Sequence, residues 1–355
     1  MAVPTVNLKP QLQQTAPEWR ANLRRLFVRG QFILGPELRA FEEEFAARTG
    51  GRDAVGVGSG TSAIELALRD ARVSGEVLTS ALTAPFTAVA IRAAGCEPRF
   101  TDIDPETLQM DPDDAASRVR SKTRALVPVH LYGQPCALDR LRKLGLPLIQ
   151  DACQAHGARY RGEPLTAYSA YVAYSFYPTK NLGCLGDGGA IVTNSPAAAK
   201  RLRMARDGGR DGDQVSHVAA VNSRLDELQC CFLRAFAPHL EEWNAQRARI
   251  AAIYDEELSG CPGVGLVRRT ADSVNHLYVI RAERRDQLRK YLARHGIGSG
   301  VHYPVPLHRH PAFAQRIRLP HAERAAGEVL SLPLWPGLKE SAARRVAACL
   351  RKFYS

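Results

Sequence analysis

Lys180 is the residue of this chain best placed to form a covalent bond with a carbonyl compound. It lies in Tyr174-Ser175-Phe176-Tyr177-Pro178-Thr179-Lys180-Asn181-Leu182-Gly183, and Gly186, Gly188 and Gly189 follow closely. An earlier apolar run, Leu148-Ile149-Gln150, ends in the carboxylate of Asp151, and the run Tyr171–Phe176 carries the Ser175 hydroxyl near its end. Carboxylate, hydroxyl and lysine in this order are what a pyridoxal 5'-phosphate (PLP) site requires. The lysine forms a Schiff base, the carboxylate pairs with the pyridine nitrogen, and the hydroxyl helps hold the phosphate. Most lysines are solvated surface residues. The Tyr-Ser-Phe-Tyr-Pro run before Lys180 and the glycine-rich turn after it argue for a constrained loop, where desolvation and nearby cations lower an amine's pKa.

Other segments supply matching parts, each with an ordinary structural alternative. Val55-Gly56-Val57-Gly58-Ser59-Gly60-Thr61-Ser62 runs from a strand through a glycine-rich turn into a helix. The free N–H groups of Gly60 and Thr61, with the Thr61 and Ser62 hydroxyls, can cradle a phosphate. The same residues also read as a tight turn with a Ser/Thr cap. The segment is neither a P-loop nor a dinucleotide fingerprint. Phe86, after Ala84-Pro85, suits offset stacking on a pyridine ring, or a core position at a helix start. Asp151 is costly to bury without a partner such as a pyridinium, although it could also cap a helix. Gln154 could reach the cofactor's ring oxygen. His156 reads as a satisfied polar residue.

Something must position these groups. Seven apolar runs read as strands: 54–57, 76–79, 97–101, 124–129, 146–150, 171–176 and 190–193. Helical patterns at 62–69, 87–94, 138–144 and 197–206 fall between them. This alternation predicts a mostly parallel, seven-stranded mixed sheet covered on both faces, with ligands collecting at strand ends. A long helical pattern covers 224–258, interrupted at Pro238. Cys261–Gly265 reads as a linker, 275–281 and 300–303 as strands, and 284–295, 321–329 and 340–354 as helices. The expectation is an α/β large domain over residues 1–240 and a smaller α+β C-terminal domain over 241–355.

Composition narrows the class. The 355 residues suffice for two domains. No apolar run approaches the about 18 residues of a membrane span. Met1–Asn7 lacks the basic and apolar regions of a signal peptide, so a cytoplasmic protein is expected. Eight cysteines without CxxC spacing read as reduced thiols, with no metal site expected. The net charge of +12 fits either solvated arginine-rich helices with an anionic small substrate, or a polyanion surface. No helix-turn-helix or basic-aromatic stripe supports the second, and neither nucleic acid nor membrane is expected as a partner.

Taken together, these segments resemble the DegT/DnrJ/StrS family of sugar aminotransferases, which are fold-type I PLP-dependent transferases. The resemblance is colinear over nearly the whole chain. It covers Gly58–Ala63, Pro85–Ala88, Phe100–Pro105, Pro128–Pro135, Asp151–Gly157, Ser175–Gly183, Asn222–Gln229 and Val301–Pro304. It implies that Lys180 carries the Schiff base and shuttles a proton, Asp151 pairs with the ring nitrogen, and Gln154 contacts the ring oxygen. Gly60, Thr61, Ser62 and Ser175 would hold the phosphate, and Phe86 would stack on the ring. It also implies a homodimer with shared sites, in which Asn222 reaches the partner subunit's phosphate. Lysine at position 180, where sugar-dehydrating relatives carry histidine, implies transamination.

The Pro304-Val305-Pro306-Leu307-His308 segment resembles the substrate loop of members acting on nucleotide-linked sugars, nearer those aminating carbon 3 than carbon 4. Tyr303 and His308 would then contact sugar or pyrophosphate. The expected reaction converts a nucleotide-linked keto-sugar, of the 3-keto-6-deoxy kind or related, to its amino sugar with L-glutamate as donor. A keto-cyclitol aminotransferase and a regulatory DNA-binding protein on the same scaffold are the alternatives. Cys153 departs from the small residue or histidine usual at its position, and the sequence assigns no role to Cys184.

Overall fold

The computed structural model describes residues 2–212 and 214–355. Three helices precede the sheet: α1 (Lys9–Gln14), α2 (Ala16–Arg29) and α3 (Pro36–Thr49). Strands and helices then alternate through β1 (Asp53–Val57), α4 (Gly60–Asp70), β2 (Glu76–Ser80), α5 (Phe86–Ala93), β3 (Glu97–Thr101), α6 (Pro112–Arg118), β4 (Thr123–Val127), α7 (Leu138–Arg142) and β5 (Ile149–Asp151). A two-residue hairpin, β6 (Arg159–Tyr160) and β7 (Glu163–Pro164), leads into β8 (Tyr171–Ser175), β9 (Gly189–Thr193) and α8 (Pro196–Ala205).

The strand order is β1-β9-β8-β5 on one side and β3-β2-β4 on the other. Parallel bridges Leu126–Leu148 and Val129–Asp151 join the two halves. The result is the expected seven-stranded mixed sheet, in which β9 alone runs against its neighbours β1 and β8. Both faces are covered, which is why the strands are apolar throughout. On one face α4 and α8 bury Ala63, Ile64, Ala67, Ala198 and Leu202 against Val55, Val57 and Ile191. On the other, Phe41 and Phe45 of α3 meet Tyr174 and Phe176, with Phe232, Phe236 and Trp243 beside them.

The long helical pattern resolves into α9 (Glu227–Phe236) and α10 (Leu240–Leu258), separated by a 3-10 turn at Ala237–His239 that contains Pro238. Asp226 caps α9 by accepting from the Gln229 N–H. Beyond α10 lie β10 (Val264–Leu266), β11 (Tyr278–Ala282), α11 (Arg285–Arg294), α12 (Pro320–Glu328), β12 (Val329–Leu332) and α13 (Glu340–Tyr354). They pack a second core in which Ala343, Val346, Ala347 and Leu350, spaced by three and four, face Ile250, Tyr254 and Tyr278.

The cores cross the expected boundary at residue 240: Val3 belongs to the second core, and Trp243 and Val274 to the first.

Three sequence expectations are corrected. The linker is a turn only to Gly263, whose φ of +68° suits glycine, and β10 begins at Val264. Residues 300–303 form no strand: Gly300 makes a lone bridge to Ser331, and Tyr303 turns toward Gln154. Val329, read as the end of a helix, instead opens β12, which pairs with β11. Among the described residues no helix is long and apolar enough to cross a membrane. All eight cysteines are free.

Candidate active site

The carboxyl end of β5, the amino end of α4 and the loop after β8 converge. Ser59 caps α4: its Oγ accepts from the Ser62 N–H at 3.1 Å and lies 3.1 Å from the Ser62 Oγ. The N–H groups of Gly60 and Thr61, in the first turn, have no partner within the helix by position. Gly60 is required by packing. A Cβ there would lie 2.6 Å from the Cys153 Sγ and 2.7 Å from the Ser175 Cβ. Gly189 of β9 plays the same part beneath the turn, because a Cβ on it would meet the Ser59 carbonyl at 2.4 Å. The helix start is thus pressed against the ends of β8 and β9.

Asp151 is buried at the end of β5. Its Oδ2 accepts from the Thr87 hydroxyl at 2.7 Å and its Oδ1 from the Cys153 N–H at 3.1 Å. Among the described residues no ion pair reaches it. Gln154 is held at both ends of its amide. Oε1 accepts from the Tyr132 N–H at 2.7 Å, and Nε2 donates to the Tyr303 hydroxyl at 3.2 Å. Tyr132 takes a left-handed φ of 61°, and its hydroxyl bonds to the His302 carbonyl. Burial pushes the Tyr303 phenol up to about 12, so it is neutral and can donate.

Lys180 sits partly covered in the turn after β8, where its N–H bonds to the Tyr177 carbonyl at 2.9 Å. Burial pulls its amine below the ordinary lysine range, while Cys153 and Asp151 oppose that shift. Gly183 leaves room for this turn, since a Cβ there would meet the Pro178 carbonyl oxygen at 2.6 Å. Burial, reinforced by the Asp151 charge, holds the Cys153 thiol well above its usual pKa and therefore protonated.

Phe86 opens α5 and is 62% exposed. Asn222 is exposed and its backbone pairs with Asp207. The next residue, Ser223, accepts from the Gly58 N–H at 3.0 Å and so ties this segment to the turn before α4. The contacts therefore group Gly60, Ser62, Asp151, Gln154, Ser175, Lys180 and Tyr303. His308 stands apart from them. It is buried, with Nε2 2.9 Å from Glu323 Oε1 and Nδ1 without a partner. Among the described residues no hydrogen bond joins it to Gln154, Tyr303 or Lys180.

One sequence expectation here is overturned. His156 is buried with neither ring nitrogen hydrogen-bonded, packed instead beside the Tyr174 and Phe176 rings. Burial first, and then Lys180, lower its pKa to about 3, so it stays neutral.

Sequence reasoning also missed residues. Thr87 and Tyr132 lie inside segments that were singled out, yet only the structure shows their bonds to Asp151 and Gln154. Cys184 closes the glycine-rich turn by donating to the Phe176 and Gly186 carbonyls at 3.1 and 3.2 Å, a role no sequence pattern announces.

A strand-end carboxylate, a helix start open to an anion and a desolvated lysine define a site of the kind that transaminases build. The model of the DegT/DnrJ/EryC1/StrS aminotransferase family matches residues 13–351, and the chain belongs to that family. It is 43% identical to the dTDP-3-amino-3,4,6-trideoxy-alpha-D-glucose transaminase of Streptomyces venezuelae, over 99% of this chain and 96% of that one. Among solved structures, that of S. venezuelae DesV in complex with a ketimine intermediate superposes with a TM-score of 0.97 at 43% identity, covering 100% of this chain and 99% of that chain. NtdA of Bacillus subtilis with bound cofactor PMP gives 0.92 at 27% identity, covering 99% and 85%.

Proposed function

We propose that the protein is a PLP-dependent aminotransferase that converts a nucleotide-linked 3-keto sugar to the amino sugar, with L-glutamate as donor. The observation that carries the cofactor is Asp151. It is a buried carboxylate with two neutral donors and, among the described residues, no ion pair, an arrangement that is costly unless a cationic group completes it. A pyridinium nitrogen is such a group, and the other residues suit the rest of PLP. Gly60, Thr61, Ser62 and Ser175 present N–H and hydroxyl donors to a phosphate at the amino end of α4. Phe86 offers an exposed ring face for stacking. Gln154 has a second Nε2 hydrogen for the ring oxygen.

When bound, PLP supplies the electron sink that lets an amine nitrogen leave one carbon and join another. The chain's own work is then binding and proton transfer. Lys180 would hold the cofactor covalently at rest and, once displaced, would carry the proton between the two carbons that flank the amine nitrogen, as a base whose pKa burial has brought down. Asp151 would keep the ring nitrogen protonated, with Thr87 fixing the carboxylate through its hydroxyl. Tyr303, neutral and bonded to Gln154, contacts the keto-sugar. The basic balance suits a substrate bearing a pyrophosphate. The substrate class is supported by the activity of the S. venezuelae relative, and the cofactor by the PMP of NtdA.

A homodimer is part of the reading. Phe27 and Phe32 are exposed with ring centroids 6.5 Å apart, and Ile33 pairs with Asp226. Leu228 follows, and Gln229 bonds to the N–H of the exposed Leu185. These exposed apolar side chains lie on segments joined to the turn after Lys180 and would suit a second copy better than water. Asn222 would cross it to the partner's phosphate. A cytoplasmic location belongs to the same proposal.

The test is glutamate-dependent amination of a panel of dTDP- and UDP-linked 3-keto and 4-keto sugars with a keto-cyclitol alongside. Turnover confined to 3-keto nucleotide sugars supports the reading. Turnover of the cyclitol alone replaces the substrate class, and inactivity of all with PLP bound removes it.

A further inference from the structure

Asn181, next to Lys180, is fully buried, and its side-chain amide is fully engaged. Its Nδ2 donates to the Val274 carbonyl at 3.0 Å and to the Asn244 Oδ1 at 2.8 Å. A backbone carbonyl only accepts, so the amide orientation is fixed and Oδ1 faces the His276 Nδ1 at 2.9 Å. An amide oxygen also only accepts, so His276 carries its hydrogen on Nδ1.

The chain of bonds closes on itself. The Asn244 Nδ2 donates to the His156 carbonyl at 2.9 Å, two residues after Gln154. Gln154 accepts from the Tyr132 N–H, and the Tyr132 carbonyl accepts from the His276 N–H at 2.8 Å. Arg247 of α10 joins the His276 and Leu334 carbonyls at 3.1 Å each. One ring of hydrogen bonds thus ties the lysine turn, the Asp151–Gln154 loop and α10, whose later turns belong to the second core.

We propose that Asn181 and His276 are a positioning pair, which sets the direction of the Lys180 side chain and relays the placement of α10 and the second core to it. His276 suits a fixed donor. Burial, and the nearby cations Lys180 and Arg247, keep its pKa well below the ordinary value, so the imidazole stays neutral with one defined tautomer. His156 and His302 face it as well, both with lowered pKa. The ordinary alternative is that this network only holds the fold. The two roles differ in what they do to the lysine's reactivity.

The proposal rests on Lys180 being the residue that bonds PLP. Its test compares how fast cofactor-free protein captures PLP covalently, trapped by borohydride and weighed by mass spectrometry, with how tightly it holds PLP at equilibrium. His276→Leu should slow capture about tenfold or more, the ~1.4 kcal/mol of one lost hydrogen bond, and change affinity less than about threefold. His276→Asn, whose amide can donate from near the Nδ1 position, should bring the capture rate back to within about threefold of the unaltered protein. Asn244→Ala, at a partly exposed position, should slow capture in the same direction and serves if His276→Leu does not fold. A His276→Leu or Asn244→Ala protein that captures PLP at the unaltered rate overturns the proposal, as does His276→Asn behaving no better than His276→Leu. Failure of the unaltered protein to capture PLP at all refutes the cofactor reading instead.

Discussion

Gly60→Ala tests the phosphate cradle with a single methyl group. The added Cβ would lie 2.6 Å from the Cys153 Sγ and 2.7 Å from the Ser175 Cβ, about 1 Å inside ordinary contact. Cys153 and Ser175 belong to segments pinned by the sheet, so the first turn of α4 must retreat. A core overfilled in this way loses about 1–3 kcal/mol. The Gly60 and Thr61 N–H groups retreat with it, and losing one charge-assisted bond to a phosphate costs about 1.5–3 kcal/mol. At about 1.4 kcal/mol per factor of ten, PLP affinity should fall between about 10- and 100-fold.

Equilibrium titration of the cofactor-free variant, followed by PLP fluorescence, reads the affinity, and urea unfolding reads the stability. Cys153→Ala in the same chain removes one of the two close contacts and should recover part of both losses. Affinity within about twofold of the unaltered protein, in a variant that folds, would refute the idea that Gly60 lines the phosphate site.

Further outcomes are expected elsewhere. Thr87→Val keeps the shape but leaves the buried Asp151 Oδ2 without a donor, so the cofactor-free protein should lose about 1–3 kcal/mol in urea unfolding. An unchanged midpoint would contradict the assigned bond. His130 is buried and neutral: its Nδ1 accepts from the Cys136 N–H, and Nε2 lies 2.9 Å from Gln150 Oε1. Burial lowers its pKa from 6.5 to about 4. The unfolded chain therefore binds the extra proton first. Its contribution is fully present above pH 6.5 and is lost as the pH falls toward 4, by up to about 3 kcal/mol. His130→Gln should flatten that stretch of a stability–pH curve. Val28, 89% exposed beside Phe27, can carry a charge at little cost to one subunit. Val28→Glu should weaken self-association in sedimentation, and a variant as dimeric as the unaltered protein would move the interface elsewhere. Gly327 in α12 has open space around its Cβ position and no left-handed φ, so Gly327→Ala should leave stability unchanged or raise it by up to about 1 kcal/mol.

The seven sheet strands were legible because each is a short apolar run between turn residues, and a strand buried on both faces shows itself by composition alone. The Ser/Thr cap at the turn before α4 was legible for a similar local reason, since the Ser59 side chain bonds within three residues, whereas the cap at Asp226 lay inside the expected 224–258 helix and was not read. Residues 300–303 misled because Val301 and Tyr303 have strand-like character, whereas tertiary contact with Gln154 decides their path. Val329 misled because a helical run ends where a four-residue strand begins, with no breaker between them.

In the site, Lys180, Asp151 and the Gly60 turn announced themselves through residue type at a strand or helix end. Thr87, Asn181 and His276 did not, because their meaning lies in partners far along the chain: 64 residues from Thr87 to Asp151 and 95 from Asn181 to His276. Lys180 lies in a turn closed by Cys184 and backed by that longer-range network, and its amine, although near β8, is shielded.

Borohydride reduction of the PLP-loaded protein, followed by peptide mass mapping, examines Lys180 most directly. The account predicts one phosphopyridoxyl group per chain, on Lys180, lost in Lys180→Ala while that variant remains folded. Label on another lysine, or none on a protein saturated with PLP, would contradict it.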